Sequence, residues 1–213
     1  MEIIYLGVSS FRIKGQDVTV ITDPSPGKGA PRPATIATVS HDHPRHNQLD
    51  RLTEVRKTVR SPGEYEIGPA FILGIATFHD NEKGKLRGPN TVFSIELEGV
   101  TLCHLGDLGH QLTAAQAEEL GKVDVVFLPV GGMSTIDAAQ ATEVVRHMEP
   151  KIVIPMHYRI PGVCDEVGEL EPFLHHMGLG QSEPQPRLNV TRSILAQQAA
   201  ARVVVMEPPK TGS

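Results

Sequence analysis

The sequence predicts an α+β protein, a four-layer αββα sandwich in which two β-sheets pack face to face with helices outside. Three observations carry this expectation. The first half of the chain is a run of short β-branched segments separated by Gly, Pro or polar pairs, and the second half alternates apolar runs with capped helical segments. Gly (20) and Pro (17) are plentiful while aromatics make up only 4%, which suits many short strands joined by turns. With 213 residues, 39% of them hydrophobic, the chain can bury a core as one domain over 1–213, with a tail fraying from about 208.

In order, EIIYLG (2–7), SFRIKG (10–15) and VTVITDP (18–24) read as strands with hairpin connections. A Pro/Gly-rich loop, SPGKGAPRP, leads into a buried strand, ATIATVS, and QLDRLTEV (48–55) suits a short helix. From KTVRSPGEYEIG to AFILGIATFHD the pattern is again strand, ending at His79 and Asp80, and KGKLRGPN is a turn. TVFSIELEG and VTLCHLGD form a hairpin through Gly99 that delivers Asp107 at a strand end. Thr113 and Gln116 make a capping box for AAQAEELG, which Gly121 stops. VDVVFLPVGG suits a strand covered on both faces, Asp137 and Gln140 cap AAQATEVVRHM, and KIVIPMHY brings a strand to His157. VGELEPFLHHMG reads as helix, LNVTRSIL is ambiguous, and ARVVVMEPP is a closing strand.

Composition narrows the partners. A formal charge of −5 with scattered basic residues provides no nucleic-acid groove and no footing on an anionic membrane. Cys103 and Cys164 lie far apart and outside any CxxC pair, so neither a disulfide framework nor a thiolate zinc site is expected. No leader pattern or membrane-length apolar stretch is present, and the expected setting is the cytoplasm. The expected partner is a small-molecule substrate, anionic groups included; a homo-oligomer is left open.

Ten histidines are the unusual feature of the composition. In TVSHDHPRHN (38–47), His41 and His43 are two apart on an extended segment and point the same way, and the turn at Pro44 lets His46 return to the same pocket. Neutral imidazole is a common zinc ligand, and a hydrolytic site uses about three protein ligands with one position left for water. A lone histidine at a strand end is an ordinary polar residue. Here His79, Asp107 and His157 each end a further buried run, and the joint pattern points to metal.

The order HxHxxH, isolated His, LGD, isolated His resembles the metallo-β-lactamase superfamily over most of the chain, from YLGVSSF to IPMHY, and is most similar to its L-ascorbate-6-phosphate lactonase-like branch. The resemblance implies the αββα fold with a site at one edge of the sandwich. It implies His41, His43 and His79 as ligands of a first ion, Asp107 as a bridging acid, His46 and His157 as ligands of a second, and Asp23 as their support. Two positions depart from the pattern: Arg45 stands where the motif HxHxDH has an acid, and Val8 where the opening element has a histidine.

A guanidinium beside the second ion adds like-charge repulsion, so the expectation is one or two Zn2+ ions with the second site weakened; Mn2+ or iron also suits such ligands. Arg45 has three readings: solvated without a role, paired with Asp107 or another acid, or a receptor for the anionic part of a substrate. Asp42 should point away from His41 and His43. His110, in the loop after Asp107, is a candidate to donate a proton to a leaving group or to hold substrate, whereas His104 should be packed or hydrogen-bonded on the other face. His147, His175 and His176 fall on helices, and Glu64 and Glu66 on an exposed hairpin.

The expected reaction is hydrolysis of a small ester, lactone or phosphorylated metabolite by a zinc-activated water, with Asp107, His110 and Arg45 as candidate catalytic groups. The rivals are an iron-bound oxidoreductase on the same scaffold and a catalytically impaired, ligand-binding member.

Overall fold

Alternating burial in the opening segments builds one sheet. β1 (Glu2–Gly7) buries Ile3 and Tyr5 fully and leaves Glu2, Ile4 and Leu6 half-buried; β2 (Ser10–Lys14) buries Phe11 and Ile13 beside them. β3 (Thr19–Thr22), β4 (Arg32–Pro33), β5 (Ile36–Thr38), β6 (Leu52–Thr53) and β7 (Lys57–Val59) follow. The computed structural model describes residues 1–26 and 31–209; residues 27–30 of the Pro/Gly-rich loop and 210–213 of the expected tail lie outside them.

A second run comprises β8 (Gly63–Ile67), β9 (Ala70–Phe78), β10 (Pro89–Leu97), β11 (Val100–His104), β12 (Val125–Pro129) and β13 (Ile152–Met156). β14 (Leu188–Asn189) and β15 (Arg202–Val203) complete the strands among the described residues. The first sheet has the order β14-β1-β2-β3-β5-β7 and the second β15-β13-β12-β11-β10-β9-β8, while β4 pairs with β6 separately. In each main sheet, antiparallel meander pairing gives way to parallel pairing: β3, β5 and β7 in one, β11, β12, β13 and β15 in the other.

Parallel pairing needs crossovers, and the helices supply them. α1 (Ala114–Leu120) joins β11 to β12, and α2 (Ala138–Met148) joins β12 to β13; both begin in capping boxes, Thr113 with Gln116 and Asp137 with Gln140. With α3 (Glu171–His176) they bury Leu120, Val144, Phe173 and Leu174 against the outer face of the second sheet. Between the sheets, Tyr5, Phe11, Ile36, Ile72, Phe93, Phe127 and Ile154 form the larger core. Burial stabilises each such side chain by roughly 1.5–3 kcal/mol, so the sandwich can hold strained loops at its rim.

Two segments differ from expectation. QLDRLTEV forms only a 3-10 turn, Leu49–Arg51, because Gln48 provides no side-chain cap and Leu52 and Thr53 are taken into pairing with β4. The αββα layering is therefore uneven: α1 to α3 cover the second sheet, and a single turn stands in the β5–β7 crossover of the first. The ambiguous LNVTRSIL divides into β14 and then α4 (Arg192–Ala196), which Thr191 caps through its hydroxyl.

β1, β3 and β5 run parallel to one another, as do β9, β11 and β13, so the carboxyl ends of each set lie along one edge of its sheet. All the expected metal ligands follow these ends.

Candidate metal centre

His41, His43 and His46 follow β5, His79 follows β9, Asp107 follows β11 and His157 follows β13. The structure brings all six together in three overlapping triads: His41/His43/His46, His41/His79/Asp107 and His46/Asp107/His157. The ligand atoms of each triad lie within 4.8 Å of one another. Asp107 is the hub. Its Oδ2 is 3.2 Å from His157 Nε2, 3.4 Å from both His46 Nε2 and His79 Nε2, and 3.8 Å from His41 Nε2. Among these five groups, no side chain is more than 9% exposed; His43 stands exposed at the mouth.

The tight approach depends on special backbone. Gly106 turns the chain between β11 and Asp107 with φ +57°, and a Cβ there would overlap Asn90 Oδ1 and the Ser40 side chain. Asp23 (φ +37°), His157 (φ +52°) and Val8 (φ +58°) hold the same left-handed region without being glycine. For a β-branched residue such as Val8 this is an outlier, and the conformation aims its carbonyl inward, where it accepts hydrogen bonds from His157 N and from Tyr5 Oη, both at 2.8 Å.

A further layer of contacts orients the candidate ligands, and it assigns the tautomers of the neutral rings by donor count. Asp23 Oδ2 accepts from the Ser40 hydroxyl at 2.6 Å, so that hydroxyl can only accept from His41 Nδ1, 3.0 Å away. His46 Nδ1 likewise lies 3.1 Å from Asp23 Oδ2 and donates to it. In the neutral form both rings therefore carry the proton on Nδ1 and present Nε2 to the pocket. His41 Nε2 has no hydrogen-bond partner, an orphaned buried nitrogen that a metal ion would satisfy. On the hub itself, Ser9 Oγ donates to Asp107 Oδ1 at 3.2 Å, and the Asp107 backbone N–H donates to Asn90 Oδ1 at 3.0 Å.

Electrostatics agree. Burial lowers the pKa of His41 to about 4, and lowers those of His43 and His79, so these rings are neutral and ready to bind a cation. For His46 burial acts in the same sense, but the charge of Asp107 and the hydrogen bond to Asp23 outweigh it and raise the pKa. Burial opposes ionisation of Asp107 too, yet His157 and His46 hold its carboxyl well below the usual range.

Other predicted residues go elsewhere. His104 is fully buried, with Nε2 on the Ser9 carbonyl at 2.7 Å and Nδ1 accepting from Gly106 N–H at 3.2 Å, a packed and hydrogen-bonded role as expected. His110 does not join the cluster: Nε2 accepts from the Phe78 backbone N–H at 3.1 Å and Nδ1 lies on the Gln111 carbonyl at 2.7 Å. In that position both ring nitrogens are engaged with backbone groups at the β9 end rather than with the cluster. Asp42 turns outward to Asn47. Arg45 faces Glu166 and Cys164 rather than Asp107. Glu64 and Glu66 are exposed on β8.

Sequence reasoning missed Ser40, Asn90 and Glu166. Ser9 lies within the opening YLGVSSF element, but its contact with Asp107 spans 98 residues and has no local signal. Asp80, recognised only as a strand end, accepts four backbone N–H bonds, from Glu82, Gly84, Leu86 and Arg87, and pins the loop that follows His79.

The sequence profile of the beta-lactamase superfamily domain matches residues 2–157. A UPF0173 metal-dependent hydrolase of Staphylothermus marinus is 31% identical over 188 residues, covering 72% of this chain and 82% of the relative. A solved structure from Thermotoga maritima, described as a candidate Zn-dependent hydrolase of the metallo-β-lactamase superfamily, is 34% identical with a TM-score of 0.80, covering 97% of this chain and 98% of that one. CmlA, a diiron β-hydroxylase from Streptomyces venezuelae, shares the fold alone, at 16% identity and TM-score 0.60 over 88% of this chain and 53% of its own. No described helix is long and apolar enough to cross a membrane.

Proposed function

This chain belongs to the metallo-β-lactamase superfamily, and on that premise we propose that it is a metal-dependent hydrolase acting on a small ester, lactone or phosphorylated metabolite. The observation that carries the reading is the orphaned His41 Nε2 facing a carboxylate oxygen that three further imidazoles surround. Kinship with chains named metal-dependent hydrolases supports the reaction class.

His41, His43, His79 and Asp107 would hold one ion, and His46, Asp107 and His157 a second. Five imidazoles and one carboxylate suit Zn2+ best, with Mn2+ and iron accommodated by the same donors. When bound, such an ion supplies Lewis acidity and lowers the pKa of water near it. The chain's own residues do the rest. Asp107 Oδ2, ionised and central, accepts a hydrogen bond from the attacking water and aligns it. Asp23 and Ser40 keep His41 and His46 in the tautomers that offer Nε2. Ser9 holds Asp107 Oδ1 away from the reacting centre. His110 is left as a support of the β9 end.

The test is metal content by elemental analysis alongside turnover of a generic ester, a lactone and a bis-phosphodiester, with His41→Ala as control. Bound zinc and turnover that His41→Ala abolishes support the reading. Iron without hydrolysis would favour the oxidoreductase, and absence of both metal and turnover would sink the reading.

A further inference from the structure

We propose that Arg45 is the anion receptor of this site and that Glu166 is a built-in placeholder that an anionic substrate displaces, so that the chain selects small molecules carrying a carboxylate or phosphate. The proposal rests on the hydrolase reading for the reaction, and on separate observations for the anion.

Arg45 stands between His43 and His46, and its backbone N–H donates to His43 Nδ1 at 3.2 Å, which fixes it at the mouth of the metal pocket. Its guanidinium turns away from Asp107. Nη2 lies 3.4 Å from Glu166 Oε2, and Nη1 3.9 Å from Cys164 Sγ. Burial raises the Cys164 pKa, so the thiol is neutral and offers no counter-charge. Asp42, the nearest acid in sequence, is engaged with Asn47. Among the described residues, Glu166 is thus the one carboxylate paired with Arg45.

That pair is weak. The contact is long and single-stranded, Arg45 is 37% exposed and Glu166 is 82% exposed. Exposed pairs of this kind contribute little, because water and salt screen them and two flexible side chains must be ordered. A planar guanidinium with five N–H donors is far better matched by a carboxylate or phosphate that accepts two parallel bonds. An anion that reaches Arg45 has only the exposed Glu166 side chain to displace. A surface pair without a role makes no prediction about substrate charge; this one does.

The test compares an anionic ester, 4-acetoxybenzoate, with its neutral methyl ester on the metal-loaded full chain. Glu166→Gln should raise the selectivity for the anion, taken as the ratio of kcat/KM values, by about two- to fivefold, as expected for release of a weak surface pair. Arg45→Gln should lower the ratio about tenfold or more, as expected for loss of a charge-assisted hydrogen bond. Selectivity unmoved by either variant, or moved in the opposite sense by Glu166→Gln, overturns the proposal. Binding of 4-hydroxybenzoate to metal-stripped protein, followed by ligand-observed NMR, decides the matter without turnover. Binding that strengthens in Glu166→Gln and disappears in Arg45→Gln supports the receptor even where neither ester is cleaved, in which case the hydrolase reading alone fails. Binding indifferent to Arg45 overturns the receptor.

Discussion

Ser9 Oγ donates to Asp107 Oδ1 at 3.2 Å, and that bond leaves Oδ2 as the oxygen facing His41, His46, His79 and His157. Ser9 is itself held through its carbonyl by His104 Nε2 and Thr22 Oγ1. Loss of a group that orients a metal ligand commonly costs 10–100-fold in affinity. Ser9→Ala should therefore weaken metal binding by about tenfold or more with the fold unchanged; chelator competition and circular dichroism check the two halves.

Gly106 bears two constraints at once, a left-handed φ of +57° and contact with Asn90 and Ser40 where a Cβ would lie. The backbone term alone costs a non-glycine residue about 1–2 kcal/mol. Gly106→Ala should lower the thermal midpoint and displace Asp107, so metal is lost as well. A variant as stable as the parent would show that the turn is not under this constraint.

Acid should destabilise the metal-stripped protein. The folded-state pKa of His41 is about 4, below its unfolded value, so the folded chain binds fewer protons than the unfolded one between the two. Stability is then lost as pH falls from roughly 6.5 to 4, by at most about 3 kcal/mol from this ring. His43, His79 and His104, also lowered by burial, add in the same direction, while His46, whose pKa is raised, opposes them. Urea unfolding across this range should show the decline, and His41→Gln should flatten it.

Asp80 organises the loop beside His79. Desolvation opposes ionisation of its carboxyl, but four amide hydrogen bonds outweigh that and hold its pKa down to about 2, so it stays ionised throughout the working range. Asp80→Ala should speed hydrogen exchange at the amides of Glu82, Gly84, Leu86 and Arg87. Unchanged protection there would mean that the loop is ordered by other contacts.

Much of this was legible because the strand ends are local features. Each candidate ligand follows a buried β-branched run, and both capping boxes form where the sequence places them. The resemblance in HxHxxH, LGD and PMHY rests on the same residues that the fold gathers. What the sequence hid was long-range. Ser9 reaches Asp107 across 98 residues and Arg45 reaches Glu166 across 121, and no spacing rule foretells such pairs. His110 misled for a related reason: its place after Asp107 suggested access to the pocket, but the β9 end captured both its nitrogens. QLDRLTEV lost its helix to a two-residue ladder with β4.

The central claim is that six residues sharing Asp107 form a metal centre, and metal stoichiometry tests it most directly. After reconstitution with Zn2+ and removal of loose ions, elemental analysis should find at least one ion per chain, falling well below one in Asp107→Ala. The same trace amount of zinc in both proteins would contradict the account.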